Sequence, residues 1–581
     1  MNIFGISCFY HDAAAALCVD GKIVAAAEEE RFTRKKHDFS FPINSIDFCL
    51  DFAGLKISDI DYIVFYEKPF VKMERLLFTY ISTFPRSFKS FLAAMPVWMK
   101  EKMHIPSIIQ KETGFEGPVL YTDHHISHAA SSFLCSPFEE AAIYTVDGVG
   151  EWNTATYGIG KGNEIEILRE INFPHSLGLL YSAFTSYLGF RVNNGEYKVM
   201  GMAPYGRPKY VDEVRQLIDI KDDGSFKLDM DYFAYHYKLE NLTKKFTDLF
   251  GPPREPEAVF FNYITHPDKD HPEWDEELAR VNQRYADIAR SIQEVTEEVM
   301  LKTAGFLHKE TGMDYLCMAG GVALNCVANG KVLRQTPFKN IWIQPAAGDS
   351  GAAIGAALYV HNTVLGNPRT YIMNNAYLGP SYSEESIKKW LDEECIPYTE
   401  YSAKELPAAV AKLIADENVV GFYHGRMEFG PRALGARSIL ADPRKPEMKD
   451  VLNEKIKKRE QFRPFAPAVL VEKVNDYFDI GADEAPYMLL VGEVRPDKRK
   501  VIPAVTHADN TARPQTVRRE VNPRYYDIIA EFEKLTGVAV IINTSFNVRG
   551  EPIVLTPQQA YNCFATTDMD YVVLERFIVS K

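Results

Sequence analysis

A strand, a polar turn and a second strand recur along this chain, and the recurrence constrains its fold more than any other feature. Ile3-Phe4-Gly5-Ile6 and Ala13 to Val19 read as strands, and Asp20-Gly21 then turns the chain into Lys22 to Ala27. Asp-Gly between apolar runs is a strong hairpin signal, because glycine tolerates the positive φ of a type I′ turn. The pattern returns at Ala142 to Asp147, with Gly148-Val149-Gly150 before a strand near Thr154 to Ile159. A third turn follows the strand Tyr315 to Met318, at Gly320-Gly321-Val322-Ala323-Leu324-Asn325. A fourth, Gly348-Asp349-Ser350-Gly351, leads into a small-residue helix, Ala352 to Leu358. Units of this kind, separated by helices, predict a duplicated α/β fold. Val281, Tyr285, Ile288, Ile292, Val295 and Val299 mark the buried stripe of one such helix.

At 581 residues the chain exceeds one ordinary core. We expect one domain over residues 1–370 and a second, α/β, over 371–581, with the break near Gly366-Asn367-Pro368. Residues 205–280 are charged, aromatic and irregular, and suit a lid or a substrate-facing insertion. A net charge of -14 argues against a nucleic-acid partner, so an anionic substrate needs a local basic pocket. The eight cysteines form no CxxC pair, which indicates neither a zinc ribbon nor a disulfide framework. No signal peptide is visible, and the longest apolar stretch, around Phe91 to Met99, is too short to span a bilayer. A cytoplasmic protein without a membrane partner is the expectation.

Four segments carry possible chemistry. In Asp123-His124-His125-Ile126-Ser127-His128, a helix would put His124 and His128 one turn apart on one face, a chelating spacing. Such a pair alone is more often hydrogen-bonded than metal-bound, but Asp147 and Asp349 each end a strand region at a glycine-rich turn. Two imidazoles with carboxylates suit Fe(II), Mn(II) or Zn(II), Fe(II) foremost, and not Ca²⁺. Gly320, Gly321 and Asn325, with Gly348 and Ser350, are candidates for binding nucleotide through backbone and helix N-termini. Neither a P-loop nor a GxGxxG fingerprint is present. The third segment, Asn194 to Gly206, fits either a cleft or a connecting loop.

The fourth is the densest. Gly421 to Leu470 holds eleven Lys or Arg against six Asp or Glu, inside an acidic chain. Arg432 in Gly430-Pro431-Arg432 and Arg463 in Phe462-Arg463-Pro464 sit in rigid turns suited to capturing phosphate. Lys455, Lys458 and Arg459 fit a solvated helix face, the usual fate of a charge run. Arg513 and the turn Asn543-Thr544-Ser545-Phe546-Asn547 add further anion donors.

In this order the segments resemble the NodU/CmcH family of carbamoyltransferases, which modify nodulation factors, antibiotics and related metabolites. The resemblance runs over the whole chain, through HDAAAAL with EEERFTRKKHD, DHHISHAASSF with VDGVGE, GEYKVMGMAPYG, GGVALN, EFGPRALGARSILADPR and FRPFAPAV. It implies an actin/hexokinase-type (ASKHA) N-terminal domain, like that of the tRNA threonylcarbamoyl transferases, and a YrdC-like C-terminal domain. It also implies that Arg432, Lys457, Arg463, Arg513 and Ser545 bind carbamoyl phosphate. With ATP and Mg(II) this would give carbamoyl adenylate, which passes to an N-terminal site where a metal sits on His124, His128, Asp147 and Asp349. There a small-molecule hydroxyl would attack, with His11, beside Asp12, as candidate base; a histidine that only caps the first hairpin turn is an equal reading. One departure concerns the turn before Arg513: Asn510 stands after Asp509 where a glycine is expected. A tRNA-modifying enzyme and a non-enzymatic actin-like nucleotide sensor are the alternatives. The identity of the acceptor is not legible.

Overall fold

The computed structural model describes residues 1–581, the side chain at position 101 excepted. The chain forms two compact units: Met1–Glu29 with His37–Met373, and Glu30–Lys36 with Asn374–Lys581.

In the first unit one strand order occurs twice. β1 (Asn2–Ser7), β2 (Ala14–Val19), β3 (Lys22–Glu28), β4 (Tyr62–Phe65) and β5 (Val119–Tyr121) pair in the order β3-β2-β1-β4-β5. β6 (Glu140–Val146), β7 (Asn153–Lys161) and β8 (Glu164–Asn172) open the second sheet. A ribbon of β9 (Ile218–Ile220) and β10 (Phe226–Leu228) intervenes before β11 (Tyr315–Ala319) and β12 (Asn340–Ile343). The second order is β8-β7-β6-β11-β12. Each half is an antiparallel meander extended by two parallel strands. This is the duplication that the actin/hexokinase resemblance implies. Asp20 and Gly21 turn with φ of 47° and 79°, as the hairpin signal requires.

The last strand of each half leads into a helix: β5 into His124–Phe133, and β12 into Asp349–Leu358. Small residues let these helices close on the core. A Cβ on Gly5 would lie 1.8 Å from Ala353 O, so β1 and the second helix touch backbone to backbone. The long helix Glu276–Thr311 begins with Asp275 Oδ1 accepting from Leu278 N (2.8 Å) and ends at Gly312, φ 65°. All of its expected stripe except Val281 is fully buried. The irregular segment before it is fastened to this helix: Asn282 Nδ2 donates to Phe261 O (3.0 Å), and Gly206 lies where a Cβ would strike Ala286 O.

The second unit is an eight-stranded sheet, in the order β13-β23-β22-β14-β15-β21-β16-β20, with a small sheet β17-β18-β19 beside it. The strands are β13 (Thr399–Glu400), β14 (Val420–Tyr423), β15 (Arg437–Ala441), β16 (Ala466–Leu470), β17 (Phe478–Asp479) and β18 (Gly492–Val494). They continue with β19 (Thr511–Ala512), β20 (Gln515–Val517), β21 (Val540–Ser545), β22 (Tyr571–Leu574) and β23 (Phe577–Ser580). Helix Pro523–Thr536 packs on β16 and β21 and against helix Leu406–Ala415. Asn510 takes φ 64°, so it adopts the left-handed turn for which a glycine was expected. Among the described residues, no helix is long and apolar enough to cross a membrane.

Candidate active site

His124 and His128 lie on one face of the helix His124–Phe133, with their Nε2 atoms 3.1 Å apart. Asp147 Oδ2 is 3.0 Å from His124 Nε2 and 3.6 Å from His128 Nε2, and Asp349 Oδ1 is 3.7 Å from both. All four ligand atoms lie within 4.8 Å of one another. The duplication brings them together. Asp147 follows β6 as His11 and Asp12 follow β1, while Asp349 and His124 each open the helix that ends their half.

The donor set suits a divalent cation. His124, His128 and Asp349 are at most 1% exposed and Asp147 8%, and Asp349 Oδ1 accepts no hydrogen bond. A buried carboxylate oxygen without a hydrogen bond is costly unless positive charge faces it. Burial opposes charge on Asp147, yet the hydrogen bond from His124 and the His128 ring 3.6 Å away hold its carboxyl well below the usual range. Burial likewise disfavours a proton on His128, but Asp147 and Asp349 outweigh it and push the pKa up to about 9. That proton meets the charge demand a cation would satisfy. His125, the middle histidine, instead faces β6: its Nδ1 is 2.6 Å from Thr145 Oγ1, and burial holds its pKa near 3.

His11 Nδ1 lies 3.1 Å from Asp12 Oδ2, and its Nε2 3.9 Å from Asp349 Oδ2. Burial works against its charged form, but Asp349 and then Asp12 dominate and raise its pKa to about 10. Positive charge placed on Asp349 removes the largest of the causes that raise it and moves the ring toward its neutral form, with Asp12 still acting the other way. The other oxygen of Asp12 meets His37 Nδ1 at 2.7 Å.

Several residues that surround this cluster were not singled out in the sequence, Glu151 at the end of VDGVGE among them. Glu151 accepts from the backbone N of His124 with both oxygens (3.1 Å each) and from Lys68 N (2.7 Å), which fixes the first turn of the histidine helix. Tyr66 OH donates to Asp349 Oδ2 at 3.4 Å. Glu67, paired with buried Lys72, has Oε2 4.0 Å from His124 Nδ1. Arg75 is 5% exposed, and among the described residues its Nε has no hydrogen-bond partner; its guanidinium lies 4.9 Å from the centre of the Phe173 ring. The one available signal was polar residues directly after the apolar strand β4.

The glycine turns build this site as much as they line it. Gly321 N donates to Asp147 Oδ1 (2.8 Å), and Gly320, φ 95°, passes so close to β6 that a Cβ would strike Val146 O. Asn325 caps helix Cys326–Gln335 through Ala328 N and exchanges two 3.0 Å amide bonds with Gln293. Gly348 caps the Asp349 helix, where nothing lies within 4 Å of its Cβ position, and Ser350 is buried in the first turn.

In the second unit, strand register gathers the expected anion donors. β21 ends at Ser545, which pairs with Ser438 at the start of β15; Asn543 pairs with Ala466 at the start of β16. β20 runs parallel to β16, with Gln515 opposite Ala468. Arg432 before β15, Arg463 before β16, Arg513 before β20 and Ser545 therefore approach one edge of the sheet. Lys457 joins them: its buried Nζ donates to Ser545 O, to Ser545 Oγ (3.2 Å) and to Asn547 O and Oδ1 (2.8 Å each). Burial, then Arg459 and Arg463, hold its pKa well below that of an ordinary lysine. Arg463 Nη1 is 3.5 Å from Glu460 Oε2. Arginines and a lysine brought to one edge suit an anion.

Arg437 differs from Arg432. It is fully buried over the Tyr423 ring (3.6 Å) and donates to His424 O, Ala436 O, Pro380 O and Gly425 O, so it clamps the loop. Glu428 Oε1 accepts from Leu434, Ala436 and Arg437 N at 2.7–3.2 Å and shapes the same turn.

Residues 2–358 match the model for the carbamoyltransferase N-terminus, and 411–581 that for the carbamoyltransferase C-terminus. The chain belongs to the carbamoyltransferase family. An uncharacterized protein of Synechocystis is 51% identical, covering 100% of this chain and 97% of its own. Nodulation protein NolNO of Sinorhizobium fredii is 36% identical over 99% of this carbamoyltransferase and 79% of that protein. Among solved structures, component A of the (R)-2-hydroxyglutaryl-CoA dehydratase of Acidaminococcus fermentans aligns with 14% identity and a TM-score of 0.31, over 63% of this chain and 99% of that one. So low a score carries no weight for fold or activity. As a carbamoyltransferase the chain is an enzyme that uses ATP and carbamoyl phosphate.

Proposed function

We propose that this is a cytoplasmic O-carbamoyltransferase with two chemical stations. The second unit, read as YrdC-like and spanning about residues 371–581, makes carbamoyl adenylate. The first, about residues 1–370, passes the carbamoyl group to a hydroxyl of a small-molecule acceptor. The observation that supports the reading is the strand register that brings the segments before β15, β16 and β20, which carry Arg432, Arg463 and Arg513, to the sheet edge where Lys457 bonds Ser545.

At that edge the arginines and Lys457 would hold the phosphate of carbamoyl phosphate. Water releases phosphate and leaves carbamate, whose oxygen displaces pyrophosphate from the α-phosphorus of ATP. Cations around the phosphates stabilise the charge that develops there. In the first unit, His124, His128, Asp147 and Asp349 would hold a divalent ion, Fe(II) foremost, which supplies Lewis-acid polarisation of an oxygen. Gly320, Gly321, Asn325, Gly348 and Ser350 border that site and would meet the adenylate. His11, oriented by Asp12, takes the proton as the acceptor oxygen forms its bond to the carbamoyl carbon and AMP departs.

Pyrophosphate release from ATP tests this with no acceptor present. It should require carbamoyl phosphate and vanish in Arg432→Ala. Release without carbamoyl phosphate, or none from folded wild-type protein, would sink the adenylate mechanism.

A further inference from the structure

We propose that the side-chain oxygen of Asn543 reads the amino end of carbamoyl phosphate, and so separates it from acyl phosphates of the same shape. The inference rests on the activation site proposed above. Asn543 and Ser545 are two residues apart on β21 and share a face of the sheet. Ser545 is the residue that Lys457 touches.

The orientation of the Asn543 amide is determined by its neighbours. Its Nδ2 donates to Ala433 O (3.1 Å) and to Gln515 Oε1 (2.7 Å), while Gln515 Nε2 donates to Leu434 O (2.8 Å). Reversing the Asn543 amide would set its oxygen against two acceptors. Its Oδ1 is therefore left over. That oxygen is buried, in a residue 1% exposed, and accepts no hydrogen bond. A buried acceptor without a donor costs free energy, and such atoms are rare unless a ligand supplies the partner.

The surroundings define the ligand class. Ala433, which fixes the amide, adjoins Arg432, and the cations along this edge attract a phosphate. The ligand must then carry an anionic group at one end and an N–H or O–H donor at the other. Carbamoyl phosphate has both: its oxygens suit the arginines, and its amino group has two N–H donors, one of which Oδ1 can accept. Acetyl phosphate puts a methyl in that place and leaves Oδ1 unpaired, the kind of mismatch a polar site rejects strongly.

The test is competition by acetyl phosphate in pyrophosphate release driven by carbamoyl phosphate. With wild-type protein, acetyl phosphate should compete at least ~30-fold more weakly than carbamoyl phosphate binds. In Asn543→Leu that preference should collapse, through a raised KM for carbamoyl phosphate and little change for acetyl phosphate. Equal competition in the wild type overturns the assignment without any variant, so misfolding of Asn543→Leu cannot protect it. No release from wild type with carbamoyl phosphate overturns the activation site and this assignment together. Release with equal competition overturns this assignment alone.

Discussion

Gly355 and Ser127 meet backbone to backbone: a Cβ on Gly355 would stand 1.8 Å from Ser127 O and 2.7 Å from Ser131 N. These residues lie on the two helices that carry Asp349 and the histidine pair, so the contact sets the spacing of the candidate metal ligands. Gly355→Ala must push the helices apart. Overpacking of this kind costs about 1–3 kcal/mol and often more against backbone. We expect a lower thermal midpoint and reduced metal content in the purified protein, with pyrophosphate release retained. A variant that keeps wild-type metal content would show that the ligand spacing tolerates the shift.

Removal of a candidate ligand should separate the two half-reactions. His128→Ala deletes a nitrogen donor 3.7 Å from Asp349 Oδ1 and leaves the second unit untouched. Metal bound per chain, measured by elemental analysis, should fall severalfold. Carbamoyl transfer should fall by at least ~100-fold, while carbamoyl phosphate-dependent pyrophosphate release should stay within about twofold of wild type. Full metal occupancy in His128→Ala would remove that residue from the ligand set.

What was legible in the sequence follows from how locally each feature is determined. The Asp20-Gly21 turn and the spacing of His124 and His128 depend on neighbours along the chain, and both are found as read. The meeting of Asp147 with His124 was suggested by residue type and strand end, although their contact depends on the duplicated sheets. Arg432 and Arg437 look alike in Gly-Pro-Arg-Ala-Leu-Gly-Ala-Arg, yet one sits in the turn and the other clamps four carbonyls. Only the pairing of β15 with β14 and β21 separates them. Glu151 closes the VDGVGE stretch, yet its role was not legible there, because a carboxylate that caps a helix from another loop follows no fixed spacing.

Arg75 should show function bought at the expense of stability. Its buried Nε has no hydrogen-bond partner among the described residues, and Glu67 and Glu151 act on the guanidinium through space. Replacing a buried charge that lacks a hydrogen-bonded ion-pair partner with an apolar side chain of similar length removes its desolvation penalty. Arg75→Met should therefore unfold at the same temperature or higher in calorimetry. Transfer should drop ~10-fold or more if the guanidinium faces a reacting anion, while pyrophosphate release is unchanged. A clear fall in the thermal midpoint would instead make Arg75 a structural residue.

The second unit should lose stability in acid through Glu575. This carboxylate accepts from Gly425 N (2.6 Å) and Arg524 Nη1 (2.7 Å), and its Oε2 lies 2.8 Å from His424 Nδ1. Burial would raise its pKa, but His424, then Gly425 and Arg524, outweigh burial and lower it to about 2, from 4.5. A carboxyl with a depressed folded pKa contributes stability above its unfolded value and loses it as pH falls toward the folded one. The contribution is of order 3 kcal/mol at neutral pH, and it disappears between about pH 4.5 and 2. Glu575→Gln should be less stable than wild type in denaturant titrations at pH 7, and the two should converge as pH approaches 2. A gap that stays constant across that window would mean that the lost hydrogen-bond geometry, and not the charge of Glu575, accounts for the difference.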